Sequence, residues 1–236
     1  MRQNKDSSIS IIIPVLNEEG FIGDVLQHLG QTSSSFNIKE IICVDGGSTD
    51  KTVEVVKAHG GTVLQSKKGR ARQMNFGAKH AQGEILYFLH ADTLTPKHFD
   101  TTILNAIDEG HESGCFRMQF DTKNPILRFF AWLSHINHTL CRGGDQSLFI
   151  KRELFELNEG FNEDYLIYED TEFITRLYRQ TKFKVLSEAV ITSARKYREK
   201  GWVRIQFHFG MIHLKNYLGA GPKELFQYYS KHILNA

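Results

Sequence analysis

Cysteine is scarce in this chain: Cys43, Cys115 and Cys141 are its three copies. They are odd in number and widely spaced, with no C-x-x-C pair. That excludes a zinc knuckle and a disulfide framework, and the expectation is reduced thiols in a cytosolic protein. An excess of one charge is also missing. The formal net charge is +2, too small to support a nucleic-acid partner. No uninterrupted apolar run approaches the ~20 residues of a membrane span, so the chain is expected not to cross a bilayer, although it is free to lie on one. The N-terminal MRQNKDSS has no apolar signal-peptide core, and Ile9–Val15 is too short to serve as one. The expected location is cytoplasmic, with peripheral contact at the inner face of the membrane left open. Internal repeats, linkers and low-complexity segments are absent. Both common phosphate-cradling loops are absent too: P-V-L-N-E-E-G stands where G-x-G-x-x-G or G-x-x-x-x-G-K-[ST] would follow a first strand. Any bound phosphate must therefore be neutralised by side chains or a metal.

The chain contains regular alternation of short apolar runs and helical periods. Ser8–Pro14, Lys39–Val44, Thr62–Gln65 and Glu84–Leu89 read as strands. Between them, Glu19–Gly30, Asp50–His59 and Gly69–Gln82 have helical spacing, and Pro96 is placed to open a further helix. Near-continuous apolar strands alternating with helices mean a mostly parallel, Rossmann-like α/β sheet covered on both faces. The second half reads as a strand over Gly114–Phe120, an aromatic-rich helix over Pro125–Leu140 and a strand over Ser147–Ile150. A helix from Glu169 to about Gln180, strands at Phe183–Leu186 and Ala189–Ile191, and helices over Trp202–Leu218 and Pro222–Ile233 follow. The expected layout is one domain over 1–236, with a nucleotide-binding half at about 8–110, an acceptor half at about 111–236 and a C-terminal helical extension.

Ligands of such sheets bind at the carboxyl ends of the strands. Four consecutive strand ends carry polar groups: Asn17-Glu18-Glu19, Asp45-Gly46-Gly47-Ser48, Lys67–Arg72 and His90-Ala91-Asp92. Asp45 suits either a base or ribose contact or a tight turn. Arg70 and Arg72 open a helix, where cations are unfavourable unless an anion joins them; a solvated charged loop is the alternative. Asp92 is a lone strand-tip carboxylate, enough for a hard cation if phosphate oxygens complete the shell. His90 is a poor magnesium ligand but acceptable for manganese, and is more simply a hydrogen-bonded strand end. Glu169 and Asp170 either complement a helix dipole or supply a general base. Gly144, Asp145 and Gln146 form either an acceptor loop or a structural turn. Arg195 lies in R-K-Y-R, which either closes over a diphosphate or is a surface turn. His208 and His213, on the long C-terminal helix, are structural or complete a metal shell.

In this order the pieces resemble the family 2 glycosyltransferases of the GT-A fold. The likeness spans roughly Ser8 to Leu218 through S-I-I-I-P-V-L-N-E-E, V-D-G-G-S-T-D, G-R-A-R-Q-M-N-F-G-A, F-L-H-A-D-T and Y-E-D-T-E-F. With G-G-D-Q-S-L-F-I and T-S-A-R, it is similar to a small, non-processive bacterial subgroup in which H-A-D stands at the usual Asp-x-Asp position. The resemblance implies inverting transfer from a nucleoside diphosphate sugar to an acceptor hydroxyl, the acceptor unknown and lipid-linked in one reading, assisted by Mg2+ or Mn2+. It implies that Pro14, Val15 and Glu18 line the nucleotide pocket, that Asp45 contacts the base and that Arg70 or Arg72 contacts the nucleotide. Asp92 becomes the metal ligand and Asp170 the base, with Glu169 beside it. Two features depart from the family: the first Asp of Asp-x-Asp, and the Gln-x-x-Arg-Trp of processive members.

A sugar-phosphate nucleotidyltransferase has a related sheet but needs a glycine-rich loop after strand one, where this chain is acidic and glycine-poor. A non-catalytic nucleotide-binding or membrane-docking module is the other rival. It rests on Trp202–Lys215, apolar nearly all round with basic residues interleaved.

Overall fold

The computed structural model describes residues 8–234; the polar N-terminus read above lies outside them as far as Ser7. The first half alternates as the spacing predicts. It runs β1 (Ile9–Val15), α1 (Ile22–Thr32), β2 (Ile38–Asp45), α2 (Thr52–Ala58), β3 (Thr62–Gln65), α3 (Arg70–His80) and β4 (Ile85–Phe88). Then come β5 (Thr93–Leu94), α4 (Phe99–Asp108), β6 (Ser113–Phe120), α5 (Pro125–Leu133), β7 (Leu148–Lys151), α6 (Arg152–Leu157) and α7 (Glu169–Gln180). The chain closes with β8 (Lys184–Thr192), α8 (Arg195–Lys200), α9 (Trp202–Tyr217), α10 (Pro222–Tyr229) and a π-helical turn, Ser230–Leu234.

The eight strands of the described residues form one curled sheet in the order β3-β2-β1-β4-β7-β6-β8-β5. The β3-β2-β1-β4 block is parallel, as is β6 with β8; β7 is antiparallel to both neighbours, and β5 to β8. Successive β1 side chains serve opposite faces, as pleating requires. Ile9, Ile11, Ile13 and Val15 join a core with α1 and α4, and Ile12 joins a second core with α3 and α7. Both faces are covered, which is why the strand reads as an unbroken apolar run. A third core lies beyond the sheet, where Leu127 and Ala131 of α5 meet Tyr197 of α8, Ile205 and Ile212 of α9 and Leu225 of α10.

Pro14 lies within β1 instead of ending it. Ile12 O accepts from Leu89 N on the β4 side, and Val15 O accepts from Gly46 N on the β2 side. Strand alternation therefore turns the Pro14 nitrogen toward β4, past its last residue, Phe88, where no ladder hydrogen bond is lost. Several other expectations shift. Pro96 precedes α4 by a loop. The aromatic helix ends at Leu133, and Thr139–Cys141 is a separate 3₁₀ turn. The two strands read at Phe183–Leu186 and Ala189–Ile191 are one, β8, whose register against β6 slips between Cys115 and Arg117; that irregularity interrupts the apolar alternation. The R-K-Y-R segment is helix α8, anchored by buried Tyr197.

Candidate active site

The carboxyl ends of β1, β4 and β8 and the start of α7 converge on a cleft of about 710 Å³. Topology makes the convergence. After β4, the chain turns through His90-Ala91-Asp92 and pairs β5 with the end of β8, Thr93 opposite Thr192. This short crossing closes the curl of the sheet and lays Asp92 beside the loops after β1 and β8. Pro14, Glu18, Arg70, Asp92, Gly144, Asp145, Gln146, Asp170 and Arg195 all line the cleft. Val15, Asp45, Arg72 and Glu169 are not in its wall.

The loops after β1 and β2 are locked together reciprocally. Thr49 N donates to Asn17 Oδ1 (2.8 Å) and Asn17 N to Ser48 Oγ (2.9 Å). Glu18 N donates to Thr52 Oγ1 (2.8 Å) and Lys51 N to Glu19 Oε2 (2.9 Å). Asp45 is buried, and its carboxylate accepts from Gly47 N (3.1 Å) and Ser48 N (3.0 Å), so it holds its own turn. Gln73, which the sequence reading did not single out, donates from Nε2 to Val15 O (2.9 Å) and Val44 O (2.7 Å). It thereby pins the tips of β1 and β2. Its only signal in the sequence was a polar residue on the apolar face of a helix.

The carboxylates of Asp145 and Asp170 flank His90, its Nδ1 lying 3.6 Å from Asp145 Oδ1 and its Nε2 3.8 Å from Asp170 Oδ2. Burial disfavours the charged ring, but the two carboxylates outweigh it and the pKa is pushed up to about 10. An imidazolium has no lone pair for a metal. Both carboxylates answer in kind: burial would raise them, yet His90 holds Asp145 and Asp170 below the usual range. Asp170 is thus ionised at neutral pH, with its carboxylate facing the cleft.

Glu169 is fully buried, and its Oε1 lies 2.6 Å from Arg70 Nε. The contact is close but not aligned as a hydrogen bond, and neither Glu169 oxygen has another partner. Burial pushes this carboxyl up, against the pull of Arg70. Arg70→Met is therefore expected to destabilise the fold at neutral pH. The loss should fall toward the low end of the ~3–5 kcal/mol for breaking a buried pair, because the Arg70 side chain is 44% exposed. The sign of the pH dependence follows from a raised folded-state pKa: stability is present at low pH and lost as pH rises through that value. Denaturant melts of the variant should recover on mild acidification, and Glu169→Gln in the same background should recover stability at neutral pH. A variant equally unstable at both pH values would refute the pair.

Tyr168, the residue before α7, is held in the left-handed region (φ 72°), and its hydroxyl is hydrogen-bonded to His213 Nδ1 at 2.8 Å. A non-glycine residue there costs about 1–3 kcal/mol. The α9 contact thus helps to fix the backbone that presents Asp170. His208 meets the Tyr228 hydroxyl at 2.9 Å, so both helix-borne histidines are held by tyrosines. On the other rim, Arg195 pairs with Glu18 (3.2 Å) and lies 4.3 Å over the Phe21 ring. Burial raises the Glu18 carboxyl, with Arg195 opposing and Asp92 adding to the shift. Buried Arg142 has no carboxylate partner among the described residues; it donates to Ser134 O (2.9 Å) and Cys115 Sγ (3.3 Å) and meets Gln146 Oε1. Gln146 Nε2 donates to Cys141 O (2.6 Å), so this side chain braces the Cys141–Gln146 loop.

Residues 10–186 match the family described as Glycosyl transferase family 2. The chain belongs to this family. The curled sheet with helices on both faces is the GT-A fold. An uncharacterized glycosyltransferase of Haemophilus influenzae is 35% identical over 186 residues, covering 69% of this chain and 70% of that protein. The undecaprenyl-phosphate 4-deoxy-4-formamido-L-arabinose transferase of Shewanella sediminis is 26% identical over 123 residues, 48% of this chain and 37% of that one. The match therefore spans little more than a third of that relative. In structure, the chain resembles the Pyrobaculum calidifontis mannosyltransferase PcManGT in complex with GDP-Man and Mn2+. The TM-score is 0.69 at 20% identity, over 96% of this chain and 70% of that one. It also resembles Staphylococcus aureus TarS in complex with UDP-GlcNAc, with a TM-score of 0.64 at 20% identity over 79% and 58%.

The donor set fits a hard cation in part. Asp92 offers one carboxylate in the cleft wall, and burial, with Asp145 adding to it, pushes its pKa up. Such a carboxylate lacks a neighbouring cation strong enough to offset its burial. Among the described residues no group of three or more His, Cys, Asp or Glu forms a metal cage. A magnesium-like ion at Asp92 would take its remaining ligands from a diphosphate and water, its usual habit. No helix among the described residues is long and apolar enough to cross a membrane.

Proposed function

We propose that this protein moves a sugar from a nucleoside diphosphate sugar to an acceptor hydroxyl with inversion, assisted by Mg2+ or Mn2+. The observation that carries this reading is the cleft itself, whose wall brings the carboxylate of Asp170 together with Asp92 and the cations Arg70 and Arg195. Structural relatives bound to GDP-Man with Mn2+ or to UDP-GlcNAc support a nucleotide-sugar donor. The nucleotide lies over the interlocked loops, against Pro14 and Glu18; Val15, fully buried, supports the strand beneath. Asp45 acts there by holding its turn, and Arg72 by flanking the nucleotide end of α3.

Asp170 takes the proton of the acceptor hydroxyl. The freed oxygen forms its bond to the anomeric carbon as the bond to the diphosphate oxygen breaks, and the electron pair leaves with the diphosphate. Arg70 and Arg195 offset the charge that grows on the leaving group; Arg195 turns from Glu18 to do so. Asp92 would hold a divalent ion, which when bound would supply Lewis-acid stabilisation of the same diphosphate. Glu169 is a positioning residue that anchors Arg70 from below. Gly144, Asp145 and Gln146 border the acceptor side. That side is lined by Phe130, Leu133, Phe209 and Ile212, which suits a lipid-linked acceptor. The relative named for undecaprenyl phosphate points the same way.

A thermal-shift screen of nucleoside diphosphates and their sugars, with and without Mn2+, tests the reading. One nucleotide should stabilise the chain in a metal-dependent way, and no shift with any of them would overturn it. Asp92→Ala should abolish the Mn2+-dependent part of that shift. His90→Ala should keep it, because both ring nitrogens face carboxylates. Loss of metal dependence in His90→Ala would make His90 a ligand.

A further inference from the structure

The cleft has two chemically different ends. Toward β1 and β4 it is charged, and toward α5 and α9 it is walled by Phe130, Leu133, Phe209 and Ile212. The two helices that wall the apolar end also carry large apolar side chains on their outer faces. On α9, Val203, Phe207 and Leu214 are exposed at 66%, 62% and 47%, with Tyr217 and Leu218 exposed beyond them. Their spacing puts them, with Gly210, along one stripe of the helix, opposite buried Ile205 and Ile212. On α5 Phe129 and Trp132 are half exposed, their rings 6.3 Å apart, and Ile136 follows. These are not scattered side chains; each of the two helices carries them along one outer face, as an interaction surface does.

Charge selects the occupant. From Arg195 to the end of the chain there are eight lysines and arginines against two glutamates, so this layer is strongly basic in a chain whose overall charge is only +2. Among the described residues Arg204 and Lys223 form no ion pair with a carboxylate, and Lys196 reaches only the Tyr229 hydroxyl and two aromatic rings. A second copy of this chain, meeting the same face by symmetry, would bring two basic layers together. An anionic surface would neutralise them.

We infer that the α5–α9 face docks on an anionic lipid surface, and that the acceptor is a lipid drawn from it into the apolar end of the cleft. The docking stands on the surface alone; the acceptor half rests on the sugar-transfer reading. Aromatic and aliphatic side chains of the two helices enter the headgroup boundary, and Arg204, Lys223 and Lys196 meet the anionic headgroups. The mouth of the cleft then opens toward the acyl region, and the charged donor end stays in water.

The test uses the full chain with vesicles of phosphatidylcholine alone or mixed with phosphatidylglycerol. Flotation should recover the chain with the mixed vesicles only, less so at high salt, and Trp132 emission should shift to the blue. Phe207→Ser and, separately, Leu214→Ser should each weaken partitioning roughly tenfold. Both side chains are outside the cleft, so nucleotide-induced thermal shifts should stay unchanged. No recovery with anionic vesicles overturns the docking, as does equal recovery of both variants. A concentration-dependent dimer that Phe207→Ser dissolves also overturns it, because a second copy then covers the face. Vesicle binding without any nucleotide-induced shift overturns the sugar-transfer reading and leaves the docking standing.

Discussion

Asp170→Asn is expected to lower turnover by ~10²–10⁴, the usual worth of a general base, while leaving donor binding close to normal. Asparagine keeps the shape of the side chain and loses the ability to take a proton at neutral pH. Asp170 is suited to the role because it lines the cleft, whereas Glu169 is fully buried behind it. The cationic His90 beside it holds its pKa low, which keeps it ionised at some cost in basicity. Glu169→Gln is the informative control. It should alter stability and the placement of Arg70 more than it alters the chemical step. Single-turnover rates, read beside nucleotide-induced thermal shifts, separate the two variants. Near-normal turnover in Asp170→Asn would end the assignment, and a loss confined to Glu169→Gln would move the base one residue back.

Gly144→Ala should cost nearly as much, for a steric reason. A Cβ at Gly144 would lie 2.0 Å from Asp170 Oδ2, 2.7 Å from its Cγ and 3.0 Å from His90 Cε1. Contacts that short cannot persist, so either the loop or the carboxylate must move. Displacing a reacting group by about 1 Å can cost ~10²-fold in rate, and a loss of that order is expected with little change in donor affinity. Gly143→Ala is the matched control. A Cβ there meets nothing within 4 Å, and the backbone is extended, so it should be nearly silent. Equal activity in the two alanine variants would show that the loop does not press on Asp170 during turnover.

The parallel half of the sheet was legible because burial on both faces leaves a local signature. The apolar run Ile9–Ile13 needs no distant residue to declare itself a covered strand, and each polar tip follows its strand directly. The start of α7 was equally plain, since Glu169 and Asp170 open a strongly amphipathic helix. The register slip in β8, the two-residue β5 and the short α8 were not legible, because each depends on a partner far along the chain.

The same divide runs through the site. By itself the sequence determined the class of fold, the four polar strand ends and the family, because local periodicity and short motifs record burial and turn chemistry. The tertiary structure alone decided how those ends meet. It set His90 between Asp145 and Asp170, buried Glu169 under Arg70, pressed Gly144 against the carboxylate and tied Tyr168 to His213. Each of these contacts joins residues from different elements through charge or close packing. Such interactions depend on distance in space, and no spacing along the chain encodes them.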